Sequence, residues 1–153
     1  MVLPKYAEFY VWAENRLIPL VDSLTDEEYA RELSGPKRSI KNLLVHWVAT
    51  YMYYFDIKTP FSEFMTELND FSPKQLTTRW QELLTRFSSD MKADERSTID
   101  FPLGPDKVLT AAIEDYYLAF TDHSTYHRGQ LMSFLKTIGK EGINTDYFTY
   151  LTS

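Results

Sequence analysis

Between Leu109 and Ile138 apolar side chains recur at three- and four-residue steps: Leu109, Ile113, Tyr116, Phe120, Leu131, Phe134 and Ile138. This period belongs to a helix with one face in a core, and a helix this long needs partners to cover that face. Near its middle the stripe is interrupted by His123 and His127, with Gln130 one step further on. Four residues is about one helical turn, so both imidazoles leave the same face. Two imidazoles in apolar surroundings present four ring nitrogens that need partners. A divalent metal would satisfy one nitrogen on each ring.

Three more segments carry the same period. The first runs from Pro4 to Leu24 with a stripe of Tyr6, Tyr10, Ala13, Leu17, Leu20 and Leu24. Pro4 suits a first helical turn. Pro19 does not suit an interior, because it removes a hydrogen bond and kinks the chain, so a bend or an early end is expected near Asn15. The second runs from Ile40 to Ile57, capped by Ser39, with Leu44, Trp47, Val48 and Tyr51 on the stripe and His46 on its shoulder. The third opens on Ser72-Pro73-Lys74-Gln75, which combines an N-cap, a first-turn proline and a capping-box glutamine. Leu76, Trp80, Leu83, Leu84, Phe87 and Met91 form its stripe.

The connections are polar or broken. Gly35-Pro36 is a breaker before the second helix. Lys58 to Phe71 reads as a loop with Phe61, Phe64 and Phe71, a candidate lid. Lys92 to Lys107 is too long for a tight turn, and Ser97 to Phe101 reads as a short extended piece before Pro102 and Gly104-Pro105. The fourth helix is expected over Val108 to Ile138, closed by Gly139. Gly129, inside it, costs about 1 kcal/mol against alanine, so a close backbone approach is expected there. The aromatic tail (Tyr147, Phe148, Tyr150, Leu151) is expected to pack on the body. Four amphipathic helices and no credible sheet predict an all-α four-helix bundle, with a long connection between helices three and four and residues 1–153 forming one domain.

Composition removes several function classes. A hydrophobic fraction of 44% with 10 Phe, 11 Tyr and 3 Trp is incompatible with a disordered chain. A net charge of −6 lacks the basic face that nucleic acid requires. Without cysteine there is no disulfide scaffold, and any thiol chemistry must use a ligand's thiol. The opening residues lack the pattern of a secretion signal, and the greasiest stretch, Leu43 to Phe55, is too short for a span. A cytoplasmic, non-membrane protein is the expectation.

Three passages together resemble the DinB-like family: Tyr10-Val11-Trp12-Ala13, the segment Ser39 to His46, and Asp122-His123-Ser124-Thr125-Tyr126-His127-Arg128-Gly129-Gln130-Leu131. Ile138-Gly139 followed by Asp146-Tyr147 is similar to that family's ending. The likeness spans nearly the whole chain, and its most specific part is His-x-x-x-His-Arg-Gly-Gln. It implies a bundle, usually dimeric, with one divalent metal held by three histidines. Matched residue by residue, these are His46, His123 and His127. It further implies metal-dependent transferases and isomerases that use low-molecular-weight thiols. The family name refers to DNA damage and does not imply DNA binding.

Three neutral imidazoles suit zinc, nickel, cobalt or iron; zinc or nickel is the first expectation. Three protein ligands would leave a position open for a substrate atom. A thiol held there would ionise, or a water would be acidified for hydrolysis. A zinc-protease reading fails because Ser124 stands where that motif has its glutamate. Asp122 points about a quarter turn away from the pair, which favours three histidines over two and a carboxylate. Asp146 or Glu63 could still reach in. Gln130 could orient a ligand histidine, or bond a neighbouring helix. Arg128 could hold an anionic substrate, although an arginine is more often exposed. Tyr53, Tyr116 and Asn15 are further candidates for the cavity.

Three functions stay open: a thiol transferase acting on an electrophilic small molecule, a metal-dependent hydrolase, and a non-catalytic metal-binding stress-response module. The opposing interpretation makes all three histidines core residues bonded to carbonyls or tyrosines. Residues off the stripes, such as Met52, Phe55 and Tyr117, could form a homodimer face.

Overall fold

Proline and capping chemistry determine where the helices begin. The computed structural model describes residues 3–35, 37–104 and 106–153. Pro36 and Pro105, read above as parts of breakers, lie outside the described residues, as do Met1 and Val2. Helix α1 spans Leu3–Asn15 and a short α2 spans Ile18–Asp22. The break falls where Pro19 requires it: the proline sits in the first turn of α2, where a missing N–H is no loss. A second short helix, α3 (Asp26–Ala30), carries a complete capping box between Thr25 and Glu28.

Helix α4 spans Ile40–Phe55, and Ser39 Oγ accepts from the Asn42 N–H at 3.0 Å. Helix α6 spans Pro73–Ala93, and both halves of the Ser72–Gln75 capping box are formed. Between them, Phe61–Asn69 is a helix, α5, where a loop was expected. It is only nine residues long and its N-cap, Pro60, makes no capping bond, so its start signal is weak. Its anchors Phe64 and Leu68 are buried one turn apart against α4.

A second departure is an antiparallel hairpin, β1 (Thr98–Gly104) with β2 (Lys107–Ala112). The extended piece expected from Ser97 is the first of these strands. Residues 108–112, expected as the start of the fourth helix, belong to the second. Leu109 keeps helical spacing to Ile113, but Val108 and Thr110 are β-branched residues that favour a strand. Pairing with β1 decides between the two. The ladder is irregular between Pro102 and Gly104, where proline has no N–H to give.

Helix α7 then runs over Ile113–Thr137. It ends in a Schellman arrangement: Gly139, at φ +81°, donates to Lys136 O, and Lys140 donates to Leu135 O. The tail forms α8 (Tyr147–Leu151) on α1, where Tyr147 and Tyr150 meet Phe9 at 5.0 and 5.6 Å.

Helices α1, α4, α6 and α7 enclose one core whose largest buried side chains include Trp47, Trp80, Tyr10, Tyr51, Tyr117 and Phe87. Helix α7 touches α4, α1 and the hairpin, so it is covered on more than one side. The buried face is therefore wider than the expected stripe. Tyr117, Thr121, Ser124 and Arg128 lie deeper than Tyr116. Tyr117 is fully buried and cannot contribute to an exterior dimer face. Arg128, expected at the surface, is 4% exposed. Gly129 is exposed, and a Cβ there would meet nothing within 4 Å, so no close approach explains it. Among the described residues no helix is long and apolar enough to cross a membrane.

Candidate metal centre

Helix α7 supplies two histidines from one face, and α4 brings the third across the core. His46, His123 and His127 each offer a ring nitrogen, all within 4.8 Å of one another. His127 Nε2 lies 2.9 Å from His123 Nε2, and the His46 ring centroid is 5.0 Å from that of His127. Neither Glu63 nor Asp146 joins the group: both are exposed, and Asp146 caps α8 through the Thr149 N–H at 2.8 Å.

Gln130 fixes the tautomer of His127. Its Nε2 donates to the Tyr126 hydroxyl at 2.9 Å, which turns Oε1 toward His127 Nδ1 at 2.8 Å. An amide oxygen only accepts, so Nδ1 carries the proton and Nε2 of the neutral ring turns its lone pair toward His123 Nε2. Both side-chain bonds of Gln130 stay on α7, to His127 and Tyr126, and none reaches a neighbouring helix among the described residues.

The surroundings keep the imidazoles uncharged. Burial pushes His46 and His127 down to about 4, and Lys37 opposes a further positive charge on each. His123 is lowered for the same two reasons. Phe61 stands edge-on to His46 at 5.5 Å, and Trp47 lies 5.8 Å from His127. Three converging neutral rings, one with its lone pair already oriented, are the donor set a borderline divalent ion requires. The residues fit such an ion.

A cleft of about 550 Å³ opens beside His123. Tyr53 and Tyr116, both expected at the cavity, do line it. The hairpin, not the Lys58–Phe71 segment, forms its outer wall through Phe101, Leu103, Leu109 and Ala111. Of the expected lid only Phe61 reaches the site, against His46 and Tyr53. Asn15 does not line the cleft; it ends α1 with a buried Oδ1 that has no partner among the described residues. Arg128 is also absent from the cleft. One of its nitrogens bonds Thr125 Oγ1 at 2.9 Å, and its guanidinium lies 5.2 Å from the Phe9 ring.

One residue of this interior was missed altogether. Glu14 is completely buried, and its Oε2 accepts from Tyr51 at 2.7 Å and Trp80 at 2.6 Å. Burial pushes its carboxyl up to about 7, although these donors and the Arg128 charge oppose the shift. A signal existed: Glu14 falls four residues after Tyr10 and three before Leu17, on the core stripe itself. Lys37 was passed over as well, inside a stretch read only as a polar connection.

No match was found among curated proteins. The model of the DinB family matches residues 2–153, and the chain belongs to that family.

Proposed function

We propose that this protein binds one divalent metal ion through His46, His123 and His127 and transfers a low-molecular-weight thiol onto an electrophilic small molecule. The observation that carries the reading is the convergence of three neutral imidazoles beside an open cleft. A purely structural site would be expected to close around its metal. A bound zinc or nickel ion would supply the ionisation of the thiol, a nucleophile this cysteine-free chain does not contain.

The chain's own residues do the rest. Gln130 holds His127 in the ligand tautomer. Phe61 and Trp47 shield His46 and His127 from water. The hairpin and α7 seat the electrophile beside His123, where the Tyr53 and Tyr116 hydroxyls can bond a polar group on it. We read α1, α4, α6 and α7 as a four-helix bundle to which the hairpin adds one wall of the site. The same proposal takes residues 1–153 as a single domain that works as a cytoplasmic homodimer.

The test begins with elemental analysis of tag-free protein beside His46→Ala and His127→Ala. About one metal per chain, lost in both variants, is expected. Screening cellular thiols with monohalobimane and epoxide electrophiles follows. Turnover that needs both thiol and metal supports the proposal. Turnover without thiol indicates a hydrolase. Absence of turnover, with a large drop in Tm on metal removal, indicates a structural metal.

A further inference from the structure

The cleft beside His123 is chemically one-sided. Its walls are aromatic and aliphatic, and no lysine or arginine lines it. Two of its hydroxyls are already engaged: Thr50 donates to His46 O at 2.9 Å, and Tyr54 donates to the Tyr117 hydroxyl at 2.8 Å. Tyr53 and Tyr116 make no side-chain hydrogen bond to the described residues. The only ionic group on the lining is Asp115, which is exposed and forms no ion pair among the described residues. On the rim, Leu103 and Leu109 leave 49% and 46% of their surface in water, area that an apolar ligand would cover.

We infer that this cleft is a binding site for an uncharged or cationic aromatic molecule of one or two rings, and that Asp115 makes it reject carboxylate-bearing ligands. A volume of about 550 Å³ lies inside the roughly 300–1,000 Å³ span of small-molecule sites. Phe101 and Tyr116, with centroids 5.7 Å apart, and Tyr53, at 5.9 Å from Phe101, supply ring faces and edges for a flat ligand. A carboxylate entering the metal-free cleft would lose part of its hydration, find no lysine or arginine on the lining, and meet the Asp115 charge. The inference adds a substrate class to the proposed transferase. It rests on that reading only for the role of His123 in aiming the ligand at the metal.

The test uses three probes with one ring system: 2-naphthalenemethanol, 2-naphthylmethylammonium and 2-naphthoate. Each is titrated by NMR into metal-free full-length protein at neutral pH. The alcohol and the ammonium are expected to shift resonances of the hairpin and of α7, with naphthoate at least about tenfold weaker. Asp115→Asn, a surface change, should narrow the gap between naphthoate and the alcohol by about two- to fivefold, the share that an exposed charge can carry. Ala111→Trp, in a strand, where aromatic residues are generally favoured, should abolish binding of all three while the far-UV circular dichroism keeps its helical signature. Equal binding of the alcohol and naphthoate by the wild type would overturn the inference, as would binding indifferent to both substitutions. Failure of the metal reading registers separately, as absence of metal in the elemental analysis, and leaves the naphthalene titrations intact.

Discussion

Replacing Glu14 by Gln should remove a pH dependence of stability that the wild type carries. The carboxyl sits at 0% exposure, with both observed donors, Tyr51 and Trp80, on Oε2 and none on Oε1. Oε1 is therefore the oxygen free to hold a proton, and glutamine mimics that protonated form. In the unfolded chain the group titrates near 4.5, and in the folded protein burial moves it up to about 7. The folded state thus binds the proton more tightly than the unfolded one. The stabilisation is complete below the unfolded value and is lost as pH rises through the folded value. At about 1.4 kcal/mol per tenfold change in proton affinity, the full linkage is roughly 3 kcal/mol. Between pH 5 and pH 8 the wild type should lose about 2.5 kcal/mol relative to Glu14→Gln. The assay is urea unfolding of both metal-free proteins at four pH values across that range. Because only the difference is read, titration of the three histidines cancels. A difference constant within about 0.5 kcal/mol would refute the reasoning, since it would mean that Arg128 and the donors hold the buried carboxyl near its ordinary value.

Further outcomes follow from single contacts. Gln130→Ala should weaken zinc binding by about 10- to 100-fold in a chelator competition, because it frees the His127 ring to rotate; unchanged affinity would contradict the tautomer argument. Gly129→Ala should raise stability by up to about 1 kcal/mol in chemical denaturation, since the new methyl meets nothing and the helix gains propensity. Phe87→Ala should cost about 3–5 kcal/mol, because a fully buried ring packed against Phe120 at 4.4 Å and Tyr54 at 4.8 Å leaves a cavity; a loss under about 1.5 kcal/mol would mean that the core collapses to fill it.

The sequence by itself determined the four long helices and most of their ends, because local chemistry controls them. Ser39 and Ser72 cap from their own side chains, Pro19 forces a break, and Gly139 adopts the left-handed turn that terminates α7. The spacing of His123 and His127 also determined, before any packing, that two imidazoles would share a face. Only the tertiary structure decided the remainder. Lys107–Ala112 combines a helical spacing from Leu109 to Ile113 with β-branched Val108 and Thr110, and the partner strand across the turn selects the strand. Phe61–Asn69 is too short to persist without α4 beneath it. Whether Glu14 and Arg128 face water or the interior depends on how many neighbours their helices acquire, which a single stripe cannot reveal. Residues 46 and 123 are far apart along the chain, so no local spacing brings them together. The shared site exists because α4 and α7 bury their apolar faces against the same core.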